Sequence, residues 1–122
     1  CTQICYDLRF PVWSRQTPEN PYDVLLYVAN WPERRIHAWK TLLQARAIEN
    51  QCYVVAVNRV GEDGNGLVYC GDSCVVNPMG EVIFCRSQEE DILTVTLHKE
   101  EITEARQRFQ FLEDADGFVI TT

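Results

Sequence analysis

Two nearly continuous apolar runs enclose the longest helical pattern of the chain. Asp23–Ala29 and Tyr53–Val57 contain few polar residues, as expected for strands covered on both faces. Between them a helix over Glu33–Gln51 is predicted by apolar residues at steps of three and four, namely Ile36, Trp39, Leu43 and Ala47. A strand, a helix and a strand in this order form a right-handed crossover, so we expect the two strands to be parallel.

Shorter patterns surround this unit. They predict a short helix, an antiparallel hairpin, a half-exposed strand and a charged helix: Val12–Arg15, Ser73–Val76 with Glu81–Cys85, Asp91–Leu97 and Lys99–Arg108. The turn-rich segment Arg59–Gly66 is predicted to be a loop. Parallel and antiparallel strands together with helices predict the α/β class.

Size and charge narrow the possible functions. The chain has 122 residues, of which 46% are hydrophobic, and this fits a single folded domain. Its longest apolar run is far shorter than the roughly 18 residues of a membrane-spanning helix. Eighteen acidic and eleven basic residues give a net charge of −7. Such a surface repels phosphate backbones and lacks a polybasic patch, so neither nucleic acid nor membrane is an expected partner.

Six cysteines raise the possibility of disulfides or a zinc site. None forms a C-x-x-C motif, and the two C-x-x-x-C pairs, Cys1 with Cys5 and Cys70 with Cys74, lie in segments predicted to be extended. Four residues of strand span about 13 Å, which exceeds the roughly 7 Å Cα separation of a disulfide. We therefore expect reduced, mostly buried thiols in a cytoplasmic protein and no metal.

The most interesting of these thiols is Cys5, which ends a short apolar run before polar residues. A thiol at a strand end can be partly exposed, and the backbone N–H of Tyr6 after it can meet an oxyanion. From spacing alone, however, a buried structural cysteine is the favoured interpretation. Arg46 and Glu49, three residues apart, are expected to form a surface ion pair on the helix.

The run ICYDLRFP around Cys5 resembles the nucleophile motif of the carbon-nitrogen hydrolase, or nitrilase, superfamily. Further segments resemble that family in the same order: Tyr22–Asp23, Ala29–Pro32, Ala45–Gln51, Asn58–Gly61, Tyr69–Ser73 and Pro78–Val82. Asn30–Arg35 and Gly61–Gly66 are most similar to the omega-amidase branch, whose members act on 2-oxo acid amides such as 2-oxoglutaramate.

The resemblance implies a four-layer αββα sandwich with a catalytic Glu, Lys and Cys and without a metal or organic cofactor. Only the cysteine maps here, onto Cys5, because the Glu and the Lys lie upstream of that motif in the family. Neither Lys40 nor Lys99 occupies the family position. The chain begins with Cys1 in a β-rich run, so we expect residues 1–122 to be the C-terminal half of one domain, partnered by an N-terminal half that carries the other two groups.

The mechanism that the resemblance implies is acyl transfer through a Cys5 thioester, with the Tyr6 N–H as an oxyanion donor. Further expected pocket residues are Asn30, Trp31, Arg34, Arg35 and Arg59, one of the arginines binding the substrate carboxylate. Alternatives are another amidase, a nitrilase or a carbamoylase of the superfamily, or a non-catalytic fragment. Family members often assemble, so a homo-oligomer is expected.

Overall fold

Three parallel strands form one side of a six-stranded sheet in the computed structural model, which describes residues 1–121. They are β1 (Thr2–Ile4), β2 (Val24–Ala29) and β3 (Tyr53–Asn58). β2 pairs with β1 on one edge and with β3 on the other, and its pairing with β3 extends over its whole length. The predicted parallel crossover is thus confirmed, as is the α/β class.

Antiparallel strands complete the sheet around β5 (Val68–Val76). The end of β5 pairs with β3, its start pairs with β4 (Val60–Glu62), and β6 (Val82–Ser87) pairs along it as the predicted hairpin. The prediction of a loop over Arg59–Gly66 is wrong in part, because β4 begins there. Turn-forming residues hid this strand, whose tight connection to β5 is closed by the Gly66 N–H on the Asp63 carbonyl.

Within residues 1–121, two α-helices and two 3-10 helices connect strands, and a third α-helix follows β6. The α-helices are α1 (Pro11–Ser14), α2 (Ile36–Asn50) and α3 (Lys99–Arg108), in agreement with the prediction except that residues Glu33–Arg35 form a separate 3-10 turn before α2. The other 3-10 helix, Cys5–Arg9, follows β1 directly. Gln51 ends α2 in a left-handed conformation with φ of 44°. No helix in the described part is long and apolar enough to cross a membrane.

The main core lies between α2 and one face of the sheet. Trp39, Leu43 and Ala47 of α2 are fully buried against inward-facing residues of β2 and β3 such as Leu25 and Val54. Their steps of three and four along α2 match the pattern from which the helix was predicted. This packing orients the helix antiparallel to the strands, so its first turn lies at their carboxyl ends.

The opposite face of the sheet is only partly covered. Ile102 of α3 packs on Tyr53 and Val75, and the extended segment 91–97 adds Val95 and Leu97. The prediction of a strand over Asp91–Leu97 is wrong, because among residues 1–121 the segment has no ladder partner. Its alternation reflects an extended backbone with one apolar side that packs onto a sheet face instead of pairing at an edge.

A row of apolar side chains remains exposed beside that partial cover. Ile4, Val28 and Val57 are neighbours across β1, β2 and β3, and their exposed fractions are 68%, 58% and 55%. We call these three residues the open row. β2 was expected to be covered on both faces, and in the described residues only the face toward α2 is.

Arg46 was expected on the surface of α2 and is instead buried, with 3% of its area exposed. It does pair with Glu49, at 3.0 Å, but its guanidinium also donates a hydrogen bond to the Leu8 carbonyl at 2.6 Å. Its position on the helix turns it toward the Cys5–Arg9 turn, a contact between residues far apart in sequence. A buried charged hydrogen bond anchors that turn to α2.

Candidate active site

Cys5 lies at the carboxyl end of β1, where the strand turns into the 3-10 helix Cys5–Arg9. Its φ of 40° is in the left-handed region, which residues with a side chain seldom adopt. The side chain is half-buried and packs at the margin of the main core. Strained backbone of this kind persists where surrounding contacts enforce it and is concentrated at functional sites.

Several contacts hold this strained turn. The Ile4 N–H donates to the Asp7 carboxylate at 2.9 Å, and the Phe10 N–H donates to the Asp7 carbonyl at 2.9 Å. Arg46 secures the Leu8 carbonyl from below. Leu8 itself is fully buried. The turn is therefore fixed at both ends and in its middle.

The Cys5 thiol is directed toward the end of the neighbouring strand. Its Sγ lies 3.9 Å from the Asn30 carbonyl oxygen, to which the S–H donates. Within residues 1–121 no Asp, Glu, His or Lys side chain forms a hydrogen bond with this sulfur. A thiol needs a base to become the reactive thiolate, and no described residue supplies such a base through a hydrogen bond to this sulfur.

The backbone N–H of Tyr6 is the candidate oxyanion donor. Tyr6 is the second residue of the 3-10 helix, and the first N–H groups of a helix have no acceptor within it. The Tyr6 side chain turns away from the core, with 64% of its area exposed, and its ring contacts Phe10 edge to face. The phenol is therefore a surface group.

Trp31 forms a fixed wall next to Cys5. It is 3% exposed, its ring packs against Trp39 at 5.6 Å, and its indole N–H donates to the Arg35 carbonyl at 2.8 Å. The Arg9 guanidinium lies 4.8 Å from the centre of the same ring. Arg9 thus links the Cys5–Arg9 turn to this wall through a cation–π contact.

The three candidate arginines occupy different surroundings. Arg34 and Arg35 are exposed in the 3-10 turn before α2, and Arg35 is tied to Trp31 only through its carbonyl. The Arg59 guanidinium stacks over Tyr69 at 4.9 Å and donates to the Glu62 carbonyl. Cys5 is hydrogen-bonded to Asn30, and Trp31 is the next residue in the chain. Among the described residues, Arg34 and Arg59 form no hydrogen bond with these three.

Both lysines are paired away from Cys5. Lys40 forms a 2.8 Å ion pair with Asp72, and Lys99 pairs with Asp23. Burial alone would raise the pKa of Asp72, but hydrogen bonds from Lys40, Ser87 and Cys85 lower it below the ordinary value. Among residues 1–121 no group of three or more His, Cys, Asp or Glu side chains is arranged for a metal ion, and all six cysteines are free.

A cavity of about 740 Å³ lies elsewhere, on the partly covered face of the sheet. Residues of β3, β5 and β6 form its floor, and the segment around Leu93 and Val95 forms its wall. It is a trough on an apolar sheet surface, continuous with Val57 of the open row. We assign the candidate site to the end of β1, because the strained backbone of Cys5 and the contacts of its thiol lie there.

Comparison with known proteins identifies the family of the chain. The Carbon-nitrogen hydrolase family matches residues 2–107. The chain belongs to that family. It is 52% identical over 116 residues to the omega-amidase YafV of Escherichia coli K12, covering 94% of this chain and 44% of the relative.

Two further comparisons extend this result. The 2-oxoglutaramate amidase of Bacillus subtilis is 39% identical over 91% of this chain and 42% of its own. A crystal structure of a CN-hydrolase superfamily protein from Xanthomonas campestris, with an arsenic adduct in its active site, superposes with a TM-score of 0.95 at 48% identity, covering 98% of this chain and 48% of that one. The chain spans about half the length of these relatives.

Two features of the site were not predicted. The first is Asn58, which ends β3 much as Asn30 follows β2. The Asn58 side chain accepts a hydrogen bond from the Trp31 N–H and donates one to the Trp31 carbonyl. The second feature is the stacking of the Arg9 guanidinium on the Trp31 ring. A polar residue at the end of an apolar strand was the available signal for Asn58, whereas nothing local indicates the contact of Arg9.

Proposed function

We propose that the intact protein is a thiol-dependent hydrolase of non-peptide carbon–nitrogen bonds. Its reaction is that of an omega-amidase, which converts a 2-oxo acid amide such as 2-oxoglutaramate to the 2-oxo acid and ammonia. The observation that carries the proposal is the strained, half-buried Cys5 at a sheet corner, in a chain 52% identical to an omega-amidase. The chemistry uses side chains and backbone groups alone.

The second element of the proposal is that residues 1–122 are the C-terminal part of one catalytic domain. An N-terminal half supplies the catalytic Glu and Lys and a second sheet that covers the open row. Two observations support this arrangement. Val28 of β2 and Val57 of β3, both in the open row, are more than half exposed although their strands have the apolar sequences of buried strands. In addition, the Cys5 sulfur has no hydrogen bond to a base among residues 1–121.

The proposed reaction has two steps. The Glu removes the Cys5 proton, the thiolate attacks the amide carbon, and the oxyanion is stabilised by the Lys ammonium and the Tyr6 N–H. The C–N bond then breaks, the nitrogen receives the proton and leaves as ammonia, and a Cys5 thioester remains. Water, deprotonated by the Glu, attacks the thioester and releases the acid and the free thiol.

Substrate orientation requires a cation for the carboxylate at the other end of the 2-oxo acid amide. We propose that one of Arg34, Arg35 and Arg59 provides it, since all three follow strand ends at the same edge of the sheet. Replacing the binding arginine with methionine should raise KM for 2-oxoglutaramate strongly. The same substitution should leave KM for a small amide without a carboxylate nearly unchanged, which separates binding from folding.

The test of the nucleophile uses the intact protein, with its N-terminal half. Cys5→Ala and Cys5→Ser should abolish ammonia release from 2-oxoglutaramate, whereas Cys1→Ala, which removes another exposed thiol, should retain it. Mass spectrometry of the wild-type protein under rapid quench should detect the acyl adduct on Cys5. Full activity of either Cys5 variant contradicts the assignment. A panel with a nitrile and a carbamoyl amine distinguishes the other superfamily reactions.

Two properties of the intact protein follow as part of the proposal. Six free thiols fit a reducing compartment, so we propose a cytoplasmic enzyme. Assembly as a homo-oligomer is proposed with a contribution from the apolar tail, in which Phe111 and Phe118 are more than half exposed. Sedimentation of the intact protein, with and without residues 110–122, tests the assembly.

A further inference from the structure

The side chain of Asn58 makes three hydrogen bonds, and all three join backbone groups at the carboxyl end of the sheet. Its Oδ1 accepts the Trp31 N–H at 2.7 Å, and its Nδ2 donates to the Trp31 carbonyl at 3.0 Å and to the Gly71 carbonyl at 2.7 Å. Both donors of the amide and its oxygen are therefore used. The residue is only 5% exposed, so water does not replace these partners.

The main chain of Asn58 is held as firmly as its side chain. The Asn58 N–H donates to the Ser73 hydroxyl at 2.9 Å, and that hydroxyl donates to the Asn58 carbonyl at 3.2 Å. Asn58 thus connects the end of β3 to β5 and to Trp31, which lies two residues after β2. Buried amide networks that are fully satisfied rigidify the groups they join.

A β-bulge in β5 presents the third of these partners. The ladder between β5 and β6 shifts between Gly71 and Ser73, which turns the Gly71 carbonyl toward Asn58. Gly71 has a φ of 73°, and a Cβ there would lie 2.8 Å from Val60 Cγ1. Only glycine fits this position, so the bulge and the Asn58 amide form one structural unit.

The unit acts on the nucleophile through one peptide. The Trp31 N–H bound by Asn58 lies in the peptide plane between Asn30 and Trp31, and this plane carries the Asn30 carbonyl oxygen. That oxygen is the acceptor of the Cys5 S–H. The bond to the Trp31 carbonyl fixes the next peptide, so Trp31 is held on both sides. A rotation of the Asn30–Trp31 peptide would displace the Asn30 carbonyl oxygen and the Trp31 ring together. Asn58 would control both groups through the Trp31 backbone, without a hydrogen bond to either.

We propose that Asn58 is a positioning residue for the Cys5 reaction, acting through the clamped Asn30–Trp31 peptide. The expected effect on kcat rests on the proposed amidase function. The hydrogen bonds by which Asn58 holds Trp31 do not depend on that function. Misplacing reacting groups by about 1 Å costs about 100-fold in rate. We therefore expect the clamp to affect kcat much more than KM.

The experiment compares Asn58→Ala with a matched control in the intact protein. Asn50→Ala removes another fully buried amide, at the end of α2 that is remote from Trp31. The Asn50 amide oxygen accepts from the Gln16 N–H, and its nitrogen donates to the Arg46 carbonyl. Asn58→Ala should lower kcat about 10- to 100-fold with KM within about threefold. Asn50→Ala should keep kcat within about twofold at temperatures well below its unfolding midpoint.

Hydrogen exchange at the Trp31 amide provides a readout that is independent of activity. Within residues 1–121 this N–H is bound only by the Asn58 side chain, so Asn58→Ala should accelerate its exchange at least about tenfold while Asn50→Ala leaves it unchanged. Asn58→Asp supplies a second variant, because it retains an acceptor for Trp31 and loses both donors. Its activity relative to wild type should rise as the pH falls, since protonation restores one donor.

The outcomes separate the inference from the proposed function. Wild-type kcat in Asn58→Ala, or an equal kcat loss in Asn50→Ala, overturns the positioning role. Unchanged Trp31 exchange in Asn58→Ala overturns the clamp itself. A wild-type protein that hydrolyses no amide refutes the proposed function, and the exchange result then still decides whether Asn58 holds the peptide.

Discussion

Replacing Arg46 with methionine should destabilise the corner that carries Cys5. The Arg46 guanidinium is buried beneath the Cys5–Arg9 turn, where it donates to the Leu8 carbonyl at 2.6 Å and pairs with Glu49 at 3.0 Å. Methionine has nearly the same reach and fills the space of the aliphatic stem, so the substitution removes mainly the polar contacts. The Leu8 carbonyl is then left without its charged donor.

The magnitude follows from these two contacts. A hydrogen bond to a charged group contributes about 1.5–3 kcal/mol to stability. The ion pair adds about 0.2–1 kcal/mol, since the Glu49 side chain is 29% exposed and partly screened. We expect Arg46→Met to lower the free energy of unfolding by about 2–4 kcal/mol. Arg46→Lys retains the charge but not the forked geometry, so its loss should be about half as large.

Guanidinium chloride unfolding of the intact protein, followed by tryptophan fluorescence, measures this difference. Arg108→Met is the matched control, because Arg108 is exposed and its guanidinium only stacks over Phe109 at 5.0 Å. Since the turn holds Cys5 at its strained φ, Arg46→Met should also reduce kcat for 2-oxoglutaramate. A loss of stability no larger than that of Arg108→Met would refute the anchoring role of Arg46.

Three further predictions concern other parts of the fold. The pKa of Asp72 is lowered in the folded state, so its charge contributes stability above the unfolded-state pKa. This contribution is lost as the pH falls through the folded-state pKa. Asp72→Asn should therefore flatten the acid side of a plot of unfolding free energy against pH. Gly80→Ala, with φ of 84° and a Cβ 2.5 Å from Ile48 Cγ1, should cost about 1–3 kcal/mol in thermal unfolding, partly recovered by Ile48→Ala. The isolated chain should be inactive and self-associate in light scattering, and Val28→Asp should increase its monomer fraction.

The parts of the fold that were predictable from sequence depend on short-range patterns. β2, α2 and β3 carry long periodic or continuous apolar runs, and the Asn77–Gly80 turn identifies the hairpin of β5 and β6. β4 was missed because its three residues include glycine. The segment Asp91–Leu97 alternates like a strand, and alternation alone does not distinguish pairing at an edge from packing on a face.

The site was predictable only where its residues are close in sequence or match a family motif. Cys5 and Tyr6 could be identified from a strand end followed by a recognisable run, and Trp31 from the corner after β2. Arg46 and Asn58 act across 38 and 27 residues of chain, so no local pattern predicts their partners. The buried position of Arg46 was missed because a pair three residues apart on a helix is usually at the surface.

Two of the contacts that hold the Cys5–Arg9 turn come from the side of the sheet that α2 covers. Arg46 of α2 donates to the Leu8 carbonyl of that turn, and Trp31, whose ring contacts the Arg9 guanidinium, packs on Trp39 of α2. The open row on the other face is exposed in the described residues, so we expect the acid–base groups that a reactive thiol requires to approach Cys5 from that face. Substitutions at Arg46 and Trp39 should consequently change how well Cys5 is positioned, whereas those in a segment covering the open row should change how readily Cys5 gives up its proton.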